Sequence, residues 1–391
     1  MRVELWALAL ALPLGQITTL ALPAVVPALR EDLGLAYVEL GLVIASFGIA
    51  RLVMNLPAGE LAQRFNPRTV LLASLAASLA ASLLGQFATT AGMVTVSRLG
   101  QGAASAATQA VVLSWLLGGS PPAFRGRAMA ISEASFSVFA LAVPALTGLL
   151  ATTTLSWRAA FLLGVLASLV GLAIVAFGTS AASASHAYGQ VSGGAAAGRW
   201  RNLRAGGVLL LAACVSAFAV FYGRNGLVGS VLPLVAGEQL GLPSLSLGIA
   251  LSVQAVVSTA AVMAGGWAAD RVGRRRLLLP GLILLAVCQA SVFLIRDEWT
   301  FLLITSLVGV SWLINALPPS LVGDSLPPDA RARGIVLYRL VADSAWLVSP
   351  IVMGVALERG GFDAAKLAVL APTVCIIGLL IVWRRPSPAC T

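Results

Sequence analysis

The sequence predicts an all-α integral membrane protein, twelve transmembrane helices arranged as two six-helix bundles, and three observations predict it. Of 391 residues, 59% are hydrophobic and 10% are charged, whereas water-soluble chains carry about 45–50% apolar and about 25% charged residues. That much apolar surface cannot be hidden in one interior, so most of it must face lipid. Twelve apolar runs are each long enough, at about 20 residues, to cross ~30 Å of hydrocarbon. The third observation is an internal repeat at an offset of about 206 residues.

The runs of the first half cover 5–29, 39–58, 69–87, 91–117, 128–152 and 159–178. Those of the second cover 207–234, 245–266, 277–295, 300–322, 334–357 and 365–383. Arg2 followed by an apolar stretch has the look of a secretory signal, but the run has a counterpart in the second half and is read as helix 1. Thirty-nine Gly and nineteen Pro suit transmembrane helices, which tolerate both and are then bent and closely packed. Residues 179–206, rich in Ser, Ala and Gly, read as a cytoplasmic linker between bundles at 1–178 and 207–391. The linker closes on Arg199, Trp200, Arg201 and Arg204, which either lie on an anionic membrane surface or only fix topology.

Sliding the chain by about 206 residues brings Pro27 onto Pro233 and Leu33, Gly34 and Leu35 onto Leu240, Gly241 and Leu242. It also brings Gly59 and Arg64 onto Gly266 and Arg271, and Arg125 and Arg127 onto Arg331 and Arg333. Pro144 and Gly148 likewise meet Pro350 and Gly354. An even number of helices per repeat puts both halves in the same orientation.

A net charge of +10 would point to nucleic acid in a soluble protein; in a membrane protein, basic residues collect on cytoplasmic loops. With both termini cytoplasmic, sixteen Arg fall inside: Arg2, Arg64, Arg68, Arg125, Arg127, Arg199, Arg201, Arg204, Arg271, Arg274, Arg275, Arg276, Arg331, Arg333, Arg384 and Arg385. Five basic residues (Arg30, Arg158, Arg296, Arg359, Lys366) fall outside, and Arg51, Arg98, Arg224 and Arg339 fall within spans. The expected location is a bacterial-type cytoplasmic (inner) membrane. Nucleic acid is set aside as a partner. Four Cys without paired spacing and a single His, His186, give no metal cluster, disulfide framework or His-based triad. No nucleotide-binding motif is present, so no cofactor is expected and ATP does not drive the protein directly. A monomer in the lipid bilayer is expected, with a small-molecule substrate and the proton as its partners.

Several motifs then narrow the class. GWAADRVGRRR, Gly266 to Arg276, follows the pattern G-x-x-x-D-R-x-G-R-R/K, and the equivalent loop GELAQRFNPR, Gly59 to Arg68, departs from it at Gln63, Asn66 and Pro67. SRLGQGAASAA, Ser97 to Ala107, carries R-x-x-Q-G; helix 5 keeps only Pro144 and Gly148 of an antiporter pattern. With YGRNGLVGSVLPL in helix 7 and the Tyr338, Arg339, Asp343, Pro350 series in helix 11, nearly the whole chain resembles the major facilitator superfamily, and in particular its bacterial drug-efflux-like, drug:proton antiporter members. The resemblance implies secondary transport without enzymatic chemistry, with helices 1, 4, 7 and 10 lining a central cavity and helices 3, 6, 9 and 12 outside as supports.

In the gating loop, Gly266 is expected to permit close helix approach and Gly273 a chain reversal. Asp270 would face the N-terminus of helix 11 and Arg331 or Arg333, where the dipole favours an anion, with Arg271 and Arg274 beside it. The other reading is a basic loop that only sets topology. Ionisable groups inside the spans are Arg51, Arg98, Glu133, Arg224, Arg339 and Asp343, and helices 3, 6, 9 and 12 have none. An isolated charge at the bilayer centre costs at least ~2.5 kcal/mol, so all six are expected to be buried and paired or functional.

Asp343 and Arg339, four apart on one helix face, can pair; Glu133 falls opposite Arg339 under the offset and can form a permanent pair with it. Asp343 and Glu133 are the proton-coupling candidates, because a buried carboxyl titrates near neutrality when its surroundings change. Arg98 and Arg224 keep their charge and can hold an anionic group. Gln101 and Asn315 add neutral hydrogen bonds, and Trp312, Phe221 and Tyr222 are candidate walls. The expected function is alternating-access, proton-coupled export of a small organic solute. Uptake of an organic anion with protons is the alternative; a non-transporting receptor or enzyme is a remote one.

Overall fold

The computed structural model describes residues 2–119, 124–180, 207–326 and 328–384. Among them there are helices and no strands. Glu4–Leu14 and Ile17–Leu33 form α1, bent by 46°. α2 is Tyr37–Arg64, α3 Pro67–Gln86, α4 Ala91–Gly119, α5 Arg125–Ala151 and α6 Arg158–Gly178. α7 is Gly207–Gln239, α8 Ser244–Val272 and α9 Arg274–Leu294. Glu298–Val310, Ser311–Ala316 and Leu317–Ser325 make up α10. Pro328–Arg384 breaks at Gly361, φ 68°, into α11 (328–360) and α12 (362–384).

Nine of these helical stretches are long and apolar enough to cross a membrane and bent α1 adds a tenth. The 49 residues of Gly334–Val382 hold two crossings, one on each side of Gly361. α4 completes twelve; its Gly, Ser, Thr, Gln and Arg dilute its apolar character, yet its 29 residues reach ~43 Å at 1.5 Å each. Most helices outrun the apolar stretches, as α2 does by reaching Arg64 instead of residue 58. Apolar composition marks only the hydrocarbon layer, whereas the backbone hydrogen-bond ladder continues into the headgroup region.

Helix ends follow local chemistry. Gly34 closes α1 in the left-handed region (φ 60°), and Gly241, its counterpart in the repeat, closes α7 the same way (φ 62°). A side chain would be strained at both. The two equivalent loops with divergent motifs, between α2 and α3 and between α8 and α9, reverse the chain by different means. Gly273 takes φ 95° before α9, while Asn66 accepts a 2.9 Å hydrogen bond from the Arg68 N–H and Pro67 opens α3. At the start of α10, Asp297 caps the helix, and the Thr300 backbone N–H holds its carboxyl below the usual carboxylate range.

The described residues form two compact units. The first comprises those up to 180 together with Pro233–Val253; the second comprises 207–232 and those from Gln254 onward. The linker at 181–206 and His186 lie outside the described residues. In the first unit, Leu71, Leu75, Val111, Val112, Trp115 and Val175 form a buried core among α3, α4 and α6. Along α3, Ser74, Ser78 and Ser82 recur every four residues and are buried. Thr108 donates to Ser74 (3.1 Å), Ser168 to Ser78 (3.2 Å) and Gln101 to Ser82 (3.3 Å). Small hydroxyl residues let helices approach closely and satisfy one another where lipid offers no partner.

The same unit takes in the C-terminal end of α7 and the N-terminal part of α8. Arg30 donates to Glu238 at 2.8 Å and Tyr37 to Glu238 at 2.6 Å, with the Arg30 guanidinium 3.9 Å above the Tyr37 ring. Gly148 sits against the Ser244 carbonyl and Gly248 against that of Pro144, each leaving no room for a Cβ. The two residues α5 keeps of the antiporter pattern, Pro144 and Gly148, are thus its contacts with α8.

In the second unit, Leu282, Ile314, Leu317, Leu321 and Val322 are fully buried. Ser349 of α11 donates to the Tyr222 carbonyl at 2.8 Å, and the Tyr222 hydroxyl donates to the Ala368 carbonyl at 3.2 Å. Outward faces stay apolar: Val170, Phe177, Leu303 and Val382 are exposed, as a lipid-facing surface requires.

Candidate functional site

Within the first unit, the functional candidates collect on the α2–α4 seam. Gly102 rests on the Phe47 carbonyl with no room for a Cβ, which draws the two helices together. That approach places the Arg98 guanidinium 4.7 Å from the Phe47 ring centre. Arg98 is 3% exposed; it donates to Gln101 at 2.9 Å, and its Nε is buried without a partner. Gln101, 1% exposed, therefore faces Arg98 with its carbonyl and Ser82 with its amide. One turn along, Arg51 is buried and donates to Ser105 at 2.9 Å and to Gln109. Two guanidinium groups are thus held on one seam, supported by an aromatic face and neutral oxygens.

The second unit repeats that approach. Gly309 of α10 packs on the Gln254 carbonyl of α8, a Cβ there lying 2.7 Å from the oxygen. Gly102 and Gly309 stand 207 residues apart, as do Phe47 and Gln254. Below Gly309, α10 tightens into a 3₁₀ stretch, Ser311–Ala316. Gly265 of α8 seats against Leu313 and Gly281 of α9 against Ile314, and Trp312 meets α7. There the Arg224 guanidinium lies 4.1 Å from the Trp312 ring centre, and Phe221 meets the same ring edge-on at 6.3 Å. α7 leaves regular geometry just past this point, with π-helical turns at Leu227–Val231 and Val235–Gln239 on either side of Pro233; such turns recur at functional sites.

The remaining candidates divide. Asp343 of α11 is 5% exposed and Asn315 half-buried. Glu133 and Arg339 are exposed, which corrects the expectation that every charge within a span is buried. Arg339 and Asp343 form no ion pair with each other. A position in a span fixes depth in the membrane but not what packs over it: Arg339 and Asp343 share one helix face, yet one turn separates an exposed Arg339 from a buried Asp343.

In the α8–α9 loop, Gly266 has open space around it, and the close contact belongs to its neighbour Gly265, a second correction. Gly273 makes the reversal as expected. Asp270 is exposed and lies 3.9 Å from Arg274, and Arg271 covers the exposed Trp267 ring at 4.0 Å. The side chains of Arg331 and Arg333 lie outside the described residues.

Phe47 beneath Arg98 and the Gly102–Gly309 pair escaped the sequence reading. The glycines carried a signal, since they match at the repeat offset. Phe47 carried none, because nothing in one helix's sequence shows which ring an arginine 51 residues away on another helix will cover.

A multi-pass helical chain of two repeated halves, with interior cations on seams set by glycine, is the construction of a membrane transporter. The family model of the Major Facilitator Superfamily matches residues 9–243 and again 217–389, and the chain belongs to that superfamily. Among curated relatives, it is 31% identical over 137 residues to a staphyloferrin B transporter of Staphylococcus aureus, covering 34% of this chain and 32% of that protein. It is 30% identical over 128 residues to the multidrug resistance protein MdtH of Cronobacter sakazakii, covering 32% of each. These matches span about a third of the relatives' length.

Among solved structures, a bacterial homologue of the human lysosomal transporter Spinster, inward-facing and occupied, superposes with a TM-score of 0.80 at 14% identity over 98% of both chains. A D-xylose–proton symporter superposes at 0.75 with 15% identity, over 95% of this chain and 97% of that one. At such identities the likeness concerns the fold.

Proposed function

We infer that the chain is a secondary active transporter that exports a small organic solute by alternating access in exchange for protons. The observation that carries this reading is Asp343, a carboxyl group 5% exposed in a membrane-crossing helix. An acid there is costly to keep charged and is retained where a proton must be taken up and released. Export is supported by the likeness to MdtH and by the patterns in α4, α7 and α11. The basic-residue asymmetry supports a cytoplasmic-membrane location with both termini inside, and the repeat supports two functional halves, 1–178 and 207–391, joined by a linker at 179–206.

A second reading is uptake of an organic anion with protons. It is favoured by the interior arginines Arg51, Arg98 and Arg224, which outnumber Asp343 as interior charge. Substrate-dependent proton flux in proteoliposomes tests the transport reading: a pH change on adding substrate, absent from empty vesicles, is expected. No flux with a compound that binds would favour a receptor.

Asp270→Asn is expected to slow transport several-fold while leaving substrate affinity unchanged, because Asp270 would latch the cytoplasmic face and not touch substrate. Transport rate and equilibrium binding measured on one preparation separate the two effects. An exposed i,i+4 pair with Arg274 has little energetic weight, so a full-rate Asp270→Asn variant would reduce the residue to that surface pair.

A further inference from the structure

Arg51, Arg98 and Arg224, which lie well inside their helices and are buried or half-buried, are not equivalent. Arg51 donates to Ser105 and Gln109, and Arg98 donates to Gln101. Arg224 has a ring, Trp312, and no hydrogen-bond acceptor or carboxylate among the described residues. Its nitrogens also differ from the sealed Nε atoms of Arg51 and Arg98, which are buried and unpartnered. No Arg224 nitrogen is among the buried, unpartnered atoms of the described residues, and the residue is half-buried. Five N–H donors thus have an indole face on one side and no acceptor among the described residues.

Depth excludes a lipid headgroup as the acceptor. Arg224 is 17 residues from the start of α7 at Gly207, about 26 Å along a helix at 1.5 Å per residue. The 33 residues of Gly207–Gln239 span ~50 Å on the same measure. The guanidinium is therefore near mid-membrane, where a charge is costly unless partnered. Phe221 stands edge-on to the Trp312 ring, and the 3₁₀ stretch carrying Trp312 is held by Gly265 and Gly281. Helix irregularities on both elements, the 3₁₀ stretch of α10 and the π turn at Leu227–Val231, begin within a few residues of the site.

We propose that Arg224, backed by Trp312 and flanked by Phe221, binds the anionic group of an organic substrate whose apolar, ring-containing body lies along the aromatic pair. The assignment rests on the transport reading and narrows its substrate to organic anions, in either direction of movement. A planar carboxylate suits the guanidinium fork, which offers two parallel donors. Trp312 keeps the fork in place by the cation–π contact, and the charge on Arg224 persists at any physiological pH.

The test uses purified full-length protein and a matched series on one ring system: 1-naphthoate, its neutral amide and its cationic amidine. Binding is measured by calorimetry and uptake in proteoliposomes. Wild type is expected to bind the carboxylate at least tenfold more tightly than the amide and the amidine least. Arg224→Gln is expected to lose that carboxylate preference, Arg224→Lys to retain part of it, and Trp312→Leu to weaken the carboxylate several-fold. Arg224→Gln must unfold near the wild-type temperature for its loss to count; if it does not, Arg224→Lys and Trp312→Leu decide.

An amidine bound as tightly as the carboxylate, an unaltered preference in Arg224→Gln, or no binding by the carboxylate overturns the site. Carboxylate binding that depends on Arg224 without any flux would leave the site standing and overturn transport. Arg224-independent flux of the amidine would do the opposite.

Discussion

Asp343→Asn in proteoliposomes under an imposed pH gradient is expected to bring substrate accumulation down to that of protein-free vesicles. Substrate binding should change by less than about threefold, the effect of a substitution outside the contact surface. The expectation follows from burial. Asp343 is 5% exposed in α11, and Asn removes the one group there that can bind a proton while keeping nearly the same shape. Exchange of labelled for unlabelled substrate without a gradient should survive, because that half of the cycle needs no proton.

Glu133→Gln is the paired measurement. Glu133 is exposed, which weakens the desolvation argument for it, and its substitution is expected to leave accumulation largely intact. If Glu133→Gln abolishes accumulation and Asp343→Asn does not, the coupling acid lies in α5. If both variants still accumulate substrate in response to the pH gradient, coupling through these carboxyls is wrong, and sodium-coupled or facilitated transport becomes the better account.

The second large effect is structural and turns on a sign. Replacing Gly by Ala within a helix ordinarily gains up to ~1 kcal/mol, since Gly is the poorer helix former. Gly102→Ala and Gly309→Ala are expected to do the reverse, because their new Cβ would overlap the Phe47 and Gln254 carbonyls. A backbone oxygen cannot rotate aside, so the helices must part. Such overpacking costs about 1–3 kcal/mol, which lowers the unfolding temperature by roughly 2–10 °C in a domain of this size. Gly266→Ala, whose Cβ would meet nothing within 4 Å, is the control and should be neutral or slightly stabilising. Thermal unfolding in detergent compares the three. Gly102→Ala carries a functional consequence as well: parting α2 from α4 withdraws the Phe47 ring from Arg98, so substrate-dependent flux should fall with stability. Unfolding temperatures that rank the three variants alike would remove the seam argument.

Much of this protein was settled by amino-acid composition and order. Apolar runs determined the number of crossings, because a lipid-immersed backbone must satisfy its own hydrogen bonds and does so as a helix. The repeat was legible wherever backbone geometry demands one residue type, as at Gly34 and Gly241, both in the left-handed region. The superfamily was legible in the α8–α9 loop, whose Gly273 makes the turn.

Only the tertiary structure decided how each helix is rotated. Spans of lipid-soaked helix are apolar on every face, so periodicity cannot tell the inner face from the outer. That is why Glu133 was expected inside and is exposed, and why the close contact belongs to Gly265 and not to Gly266. The pairing of arginines with rings is of the same kind. Phe47 beneath Arg98 and Trp312 beneath Arg224 join residues 51 and 88 positions apart; the first pair is brought together by the approach of two backbones, Gly102 against the Phe47 carbonyl.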